Sequence, residues 1–381
     1  MLLEFKTTNY KSFADEMTFS MIPAPKQKGL DYSIQSVKVG RKVFKGLCSA
    51  VIYGPNASGK TNVIGAMDTM KAIMLRGNIR NSDSPYSPNQ ASNVLELVPN
   101  CDLKEKPVSF SIKFAEKGLI ISYSFTAMLG NFLDVRHDRE IIDEQLTVNE
   151  KCVFSRNTGL TIEIPSALNE YLNDGIKQVT QPIQQISESS LNKEELFLNN
   201  GFKTVFSQKL VSLILNWIDN KFIVIYRSDA IRTMRKFANP KANTVYVEKT
   251  LTEASKMFGI SSNALGYKVI EDRNDDAVLC SIFDGIDGKK MAIPAEHFES
   301  FGTIRFVNEF PLVIKSLLNG ATLVMDEFDA SIHPMALMSI INIFHNDEIN
   351  KNCAQLIFNT HNPIFLNSGL FRRDEIKFVE R

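Results

Sequence analysis

Gly54-Pro55-Asn56-Ala57-Ser58-Gly59-Lys60-Thr61 fills every position of the phosphate-binding pattern G-x-x-x-x-G-K-[ST]. Glycines let a backbone curl round an anion with its N–H groups turned inward. A lysine then brings a point charge to the outer phosphates, and a threonine hydroxyl is a ligand for Mg²⁺. The flanks agree with this reading. Ser49 to Tyr53 (SAVIY) is a short apolar run suited to a buried strand, and from Asn62 onward Val63, Ile64, Met67, Met70 and Met74 recur at helical spacing. Strand, loop and helix follow in the order a nucleotide site requires.

Working outward, Ala321 to Glu327 (ATLVMDE) is an apolar strand that ends in two carboxylates. Placed beside the phosphate-loop strand, it lets Asp326 hold the metal shell opposite Thr61 and Glu327 polarise an attacking water. Gln355 to Asn359 (QLIFN) is another strand, and the Thr360-His361-Asn362-Pro363 turn at its end puts His361 within reach of a terminal phosphate. Glu299-Ser300-Phe301-Gly302-Thr303 precedes an apolar helix from Ile304 to Leu318. Ser300, Gly302 and Thr303 there offer hydroxyls and free N–H groups at a helix start, an anion site or an ordinary N-cap. Pro311 is expected to kink or break that helix.

The 381 residues carry 43 basic and 43 acidic side chains, so no global field draws the chain to nucleic acid or to a membrane. Five scattered cysteines lack metal-ligand spacing, which argues against zinc or a disulfide scaffold. No secretory leader and no apolar run near 18 residues is present, so a soluble cytoplasmic protein is expected.

In chain order, Leu2 to Phe5 and Met17 to Phe19 read as strands around a polar elbow at Asn9 to Ser12, and Met21 to Gly46 reads as basic and turn-rich. Residues 108–114, 119–129 and 160–165 alternate like antiparallel strands. Residues 166–221 read as helical, with segments at Leu168 to Val179 and Phe202 to Trp217 around a polar linker at 184–195. Phe222 to Tyr226 returns to buried-strand composition. Arg227, Arg232, Arg235, Lys236 and Lys241 follow as a local anion patch or a solvated helix face. A short helix at Thr250 to Phe258 and two or three strands over Tyr267 to Ile293 precede the Ser300 motif. The expected fold is α/β, a P-loop nucleotide-binding core with an antiparallel β subdomain and a helical insertion, which the resemblance described next makes an ABC-type ATPase head. Its parts are 1–165, 166–221 and 222–381.

The order GPNASGKTN, ESFGT, LVMDEFDASIHP and NTHNP resembles the ABC-type ATPase heads of the SMC and RecF class. NYKSF near the start, with SIHP and NTHNP, is most similar to stand-alone bacterial ATPases of anti-phage and abortive-infection systems, of the Septu-, PARIS- or retron-linked kind. The resemblance covers roughly residues 1–75 and 295–381. It implies ATP and Mg²⁺ as cofactors, with Gly54 and Asn56, Ala57, Ser58, Gly59, Lys60, Thr61 and Asn62 around the triphosphate. Thr61 and Asp326 would serve the metal, Glu327 the water, and His361 would sense the γ-phosphate. Ser300, Gly302 and Thr303 would complete the site of a second copy, and Ser331 would lie in the loop crossing to it. A homodimer or higher homo-oligomer follows, controlling an effector such as a nuclease or toxin.

The chain departs from that pattern in its degenerate Ser-Phe-Gly-Thr signature, in lacking a long heptad array, and in ending at Arg381, soon after His361. Asp326 follows Lys60 by 266 residues, the spacing of a split head. Gln90 is the candidate for the metal-contacting glutamine. Two other readings stay open: an ATPase that clamps DNA directly through Arg227 to Lys241, and a nucleotide-gated scaffold with little turnover.

Overall fold

The computed structural model describes residues 1–27, 29–80, 99–103, 106–129, 139–174, 176, 181–226, 245–258, 263–269, 277–285, 289–330 and 332–380. Gln90, Ser331 and Arg227 to Lys241 lie outside them.

A five-stranded sheet positions the motifs. Its order is Phe222–Ile225, Thr322–Met325, Gln355–Asn359, Ser49–Tyr53, Ile376–Phe378, and every neighbouring pair is parallel. Parallel strands need both faces covered, so they read as continuous apolar runs rather than alternating ones. Ala50, Ile52, Val324 and Ile357 face one core, shared with Met67, Met70 and Met74 of the Lys60–Arg76 helix. Their sequence neighbours Val51, Leu323, Met325, Leu356 and Phe358 face a second core, closed by the helices Phe301–Asn319 and Pro334–His345. Apart from Ala50, each of these side chains contributes about 1.5–3 kcal/mol on burial.

The first core extends into a seven-stranded antiparallel sheet ordered Leu160–Ile162, Lys151–Arg156, Glu140–Val148, Leu119–Met128, Val108–Glu116, Leu2–Thr8, Met17–Ser20. The described residues among 166–221 add apolar side chains such as Phe202, Val211 and Trp217 to this core. Trp217 stacks on Phe114 with centroids 3.9 Å apart, and buried Glu144 accepts the N–H groups of Phe197 and Leu198 at 2.7 and 2.8 Å. A four-stranded antiparallel sheet, Val245–Val247, Ala264–Val269, Ala277–Asp284, Lys290–Pro294, precedes the Ser300 helix.

Four local expectations change. The strand carrying Asp326 is not beside the phosphate-loop strand, because Gln355–Asn359 lies between them and pairs with both. The turn-rich stretch before the phosphate loop holds a hairpin, Ile34–Val39 with Lys42–Leu47, joined at Gly40 in the left-handed region with φ 58°. Its lysines hide the alternation. The Phe301–Asn319 helix runs unbroken through Pro311, where the ring removes one helical N–H and the packed apolar face holds the helix. Finally, among the described residues of Leu168 to Val179 the helical piece is a 3₁₀ turn, Ser166–Tyr171, while Gln181–Ser189, whose residues 184–189 were read as linker, is α-helical. Gln184 there donates to the Leu160 carbonyl at 2.6 Å and ties the helix to the sheet edge.

Candidate functional site

Three neighbouring strands of the parallel sheet end together. Ser49–Tyr53 delivers the phosphate loop, Gln355–Asn359 delivers Thr360 and His361, and Thr322–Met325 delivers Asp326 and Glu327. A cavity of ≈ 400 Å³ at this end is lined by Asn56 to Asn62, Ser12, Glu327 and His361. Chain crossovers thus bring together groups from opposite ends of the chain, Ser12 to His361.

The loop conformation requires its glycines. Gly59 sits at φ 108°, and a Cβ there would meet the Ser12 hydroxyl at 2.4 Å; a Cβ on Gly54 would meet Ser58 Oγ and the Val379 carbonyl at 2.4 Å. Ala57 is also left-handed, at φ 63°. Gly59 is the N-cap of the Lys60–Arg76 helix, no side chain caps that end, and no acidic residue occupies the first turn. The first N–H groups of a helix lack internal partners and carry the positive end of its dipole, so this terminus is open to an anion. Ser58 Oγ is buried beside it without a hydrogen-bond partner.

Lys60 is buried and folded over the loop, its Nζ donating to the carbonyls of Gly54 at 2.8 Å and Pro55 at 2.9 Å. Desolvation lowers its pKa, and the charges of Glu327 and Asp326 oppose that shift. Thr61 Oγ1 donates to Asp326 Oδ1 at 3.1 Å. Asp326 is itself buried, and the Asn359 amide donates to the same oxygen at 2.5 Å. Glu327, by contrast, is exposed to the cavity. Its backbone is left-handed at φ 51°, which costs a non-glycine residue about 1–2 kcal/mol. Both of its backbone groups are held: the N–H donates to Asn359 Oδ1 at 2.5 Å, and the carbonyl accepts from Arg305 Nη2 at 2.6 Å.

His361 is exposed on the cavity wall. The turn that presents it is fixed on both sides, by the Thr360 hydroxyl donating to Asp329 and by the Tyr53 phenol donating to the Asn362 carbonyl at 2.7 Å. Burial raises the pKa of that phenol and keeps it a donor.

Residues 49–367 match the model of the family described as "AAA domain, putative AbiEii toxin, Type IV TA system". The chain belongs to that family. Among solved structures, the SMC head domain from Thermotoga maritima is similar over 96% of this chain and 90% of its own, at 13% identity and a TM-score of 0.34. No curated protein matches in sequence.

The residues of this AAA domain fit a magnesium-bound nucleoside triphosphate. An uncapped helix start, a partnerless buried hydroxyl, two glycines that admit no side chain and a Thr61–Asp326 pair supply the needed donors and ligands. Gly54 contributes its carbonyl to Lys60 rather than lining the cavity. Ser300, Gly302 and Thr303 do not line it either. Ser300 is the N-cap of its helix, accepting the Thr303 N–H at 3.1 Å, and its neighbour Phe301 is 62% exposed.

Three residues of the AAA domain's site escape sequence reading. Asn359 links Asp326 to Glu327, Arg305 holds the Glu327 carbonyl, and Ser12 of the N-terminal elbow packs on Gly59 and accepts from the Asn62 amide at 2.9 Å. A polar residue closing an apolar strand was the available signal for Asn359. Among the described residues, no helix is long and apolar enough to cross a membrane.

Proposed function

We propose that this chain binds and slowly hydrolyses ATP with Mg²⁺ as a homodimer or higher homo-oligomer in the bacterial cytoplasm. Its nucleotide state would hold or release an effector protein, a nuclease or toxin, in an anti-phage or abortive-infection response. The observation that carries the ATPase reading is the convergence of Lys60, Thr61, Glu327 and His361 on one cavity at the ends of three adjacent strands. The defence reading leans on the toxin-system description of the matched family.

In this reading the N–H groups of the loop and helix start, with Lys60, bind the triphosphate. Thr61 and Asp326 hold the metal, which would neutralise charge developing on the phosphate oxygens. Glu327, exposed beside buried Asp326, takes the proton of the attacking water. His361 donates to the terminal phosphate and reports its presence. Ser300, Gly302 and Thr303, on a helix start away from the cavity, complete the site of another copy. Residues 166–221 are the insertion between halves 1–165 and 222–381 of the head, since the Phe222–Ile225 strand directly after them rejoins the parallel sheet.

Light scattering on Glu327→Gln tests the assembly. ATP with Mg²⁺ is expected to convert it to a dimer or larger species, and Ser300→Arg is expected to block that conversion. A mass that stays monomeric with and without ATP overturns the composite site.

A further inference from the structure

The helix that starts at Ser300 reaches the phosphate site of its own chain through Arg305. Arg305 is buried at 7% exposure, donates from Nη2 to the Glu327 carbonyl at 2.6 Å, and donates from Nε to Glu309 Oε1 at 2.8 Å. Glu309 stands one turn further along the helix at 1% exposure, and its second oxygen is buried without a partner. Burying such a pair costs desolvation that apolar side chains of similar size would avoid, so packing alone does not call for it. What the pair does supply is a fixed guanidinium at the carbonyl of Glu327, a residue held in the left-handed region. Left-handed, non-glycine backbone persists only where its surroundings over-determine it. For Glu327 those surroundings are Asn359 on the N–H side, and Arg305 with the Ala330 N–H, at 3.0 Å, on the carbonyl side.

We propose that Arg305 is a positioning residue for Glu327, and that through it the helix whose start faces a second copy sets the direction of this chain's own carboxylate. Movement of the helix on contact with the partner's nucleotide shifts Arg305, and with it the Glu327 backbone. The two sites of a dimer are then coupled through one helix in each copy. This rests on the ATPase reading above.

The test replaces the pair together, Arg305→Met with Glu309→Leu, so that no buried charge is left unpaired. The full chain is expected to keep its melting temperature within a few degrees and its affinity for a fluorescent, non-hydrolysable ATP analogue with Mg²⁺. Its kcat for ATP is expected to fall about a hundredfold at unchanged KM, the penalty of a misplaced reacting group. In nucleotide-free protein the Glu327 and Ala330 amides are expected to exchange hydrogen at least tenfold faster than in the wild type. If the double variant melts early, Arg305→Lys, which cannot reach both partners in the same fork geometry, carries the same kcat and exchange expectations. Unchanged kcat and exchange in a folded variant overturn the positioning role while the ATPase reading stands, provided wild type turns over ATP and Lys60→Ala does not. A wild type that releases no phosphate overturns both.

Discussion

At the amino end of the parallel sheet, buried Gln355 uses its whole amide: Nε2 donates to the Leu2 and Leu47 carbonyls, and Oε1 accepts from the Leu2 N–H and the Thr322 hydroxyl. Beside it, Ser49 Oγ donates to Glu375 at 2.7 Å and meets His345 Nε2 at 2.8 Å. At the carboxyl end of the same strands the polar groups serve differently. Ser58 Oγ has no partner, Glu327 opens onto a cavity from a strained backbone, and Lys60 stands beside two carboxylates with a lowered pKa. One end ties elements together, and the other keeps donors and charges for something outside the chain. Polar residues on buried strands therefore carry no functional meaning until their partners are known.

Variants at the two ends should separate stability from activity. Lys60→Ala is expected to lower kcat/KM for ATP by on the order of 10²–10³-fold, the effect of deleting one charged donor from a preorganised site. Its melting temperature should stay close to the wild type's, and steady-state kinetics with calorimetry would check both. At the amino end, Gln355→Leu strands four partners and is expected to cost about 3 kcal/mol in chemical denaturation. Its kcat per folded molecule should be unchanged; a selective loss of turnover would break the contrast.

A pH series on Glu309→Gln sharpens it further. Burial, opposed by Arg305, raises the Glu309 carboxyl from 4.5 to about 7. A raised folded pKa means that this group's contribution to stability is complete below pH 4.5 and is lost as pH rises through 7. Wild-type stability, measured relative to Glu309→Gln, is expected to fall across that window by at most about 3 kcal/mol. A flat difference would show that the carboxyl titrates normally.

Much of the cavity end of the sheet was legible because each of its parts is local. The phosphate loop is a spaced pattern, and Asp326-Glu327 and His361 each directly follow an apolar run. Helical and strand periods gave the α/β class. What could not be read depends on chain crossing. Nothing near Gln355 says that its strand inserts between those of Asp326 and the phosphate loop, which is a matter of sheet order. Asn359, Arg305 and Ser12 acquire their roles from partners 32, 22 and 50 residues away. The Ile34–Leu47 hairpin was obscured by lysines and glycines, and the Gln181–Ser189 helix by a polar composition that masked its one packed face, at Ile183.

If the carboxyl end of the sheet both holds ATP and cleaves it, Glu327 serves cleavage alone. Measuring ATP affinity and single-turnover phosphate release on the same preparations of wild type and Glu327→Gln tests this most directly. Equal affinity is expected, with release slowed by about 10²–10⁴-fold in the variant, the usual worth of a positioned base. Equal release rates in the two proteins would contradict it.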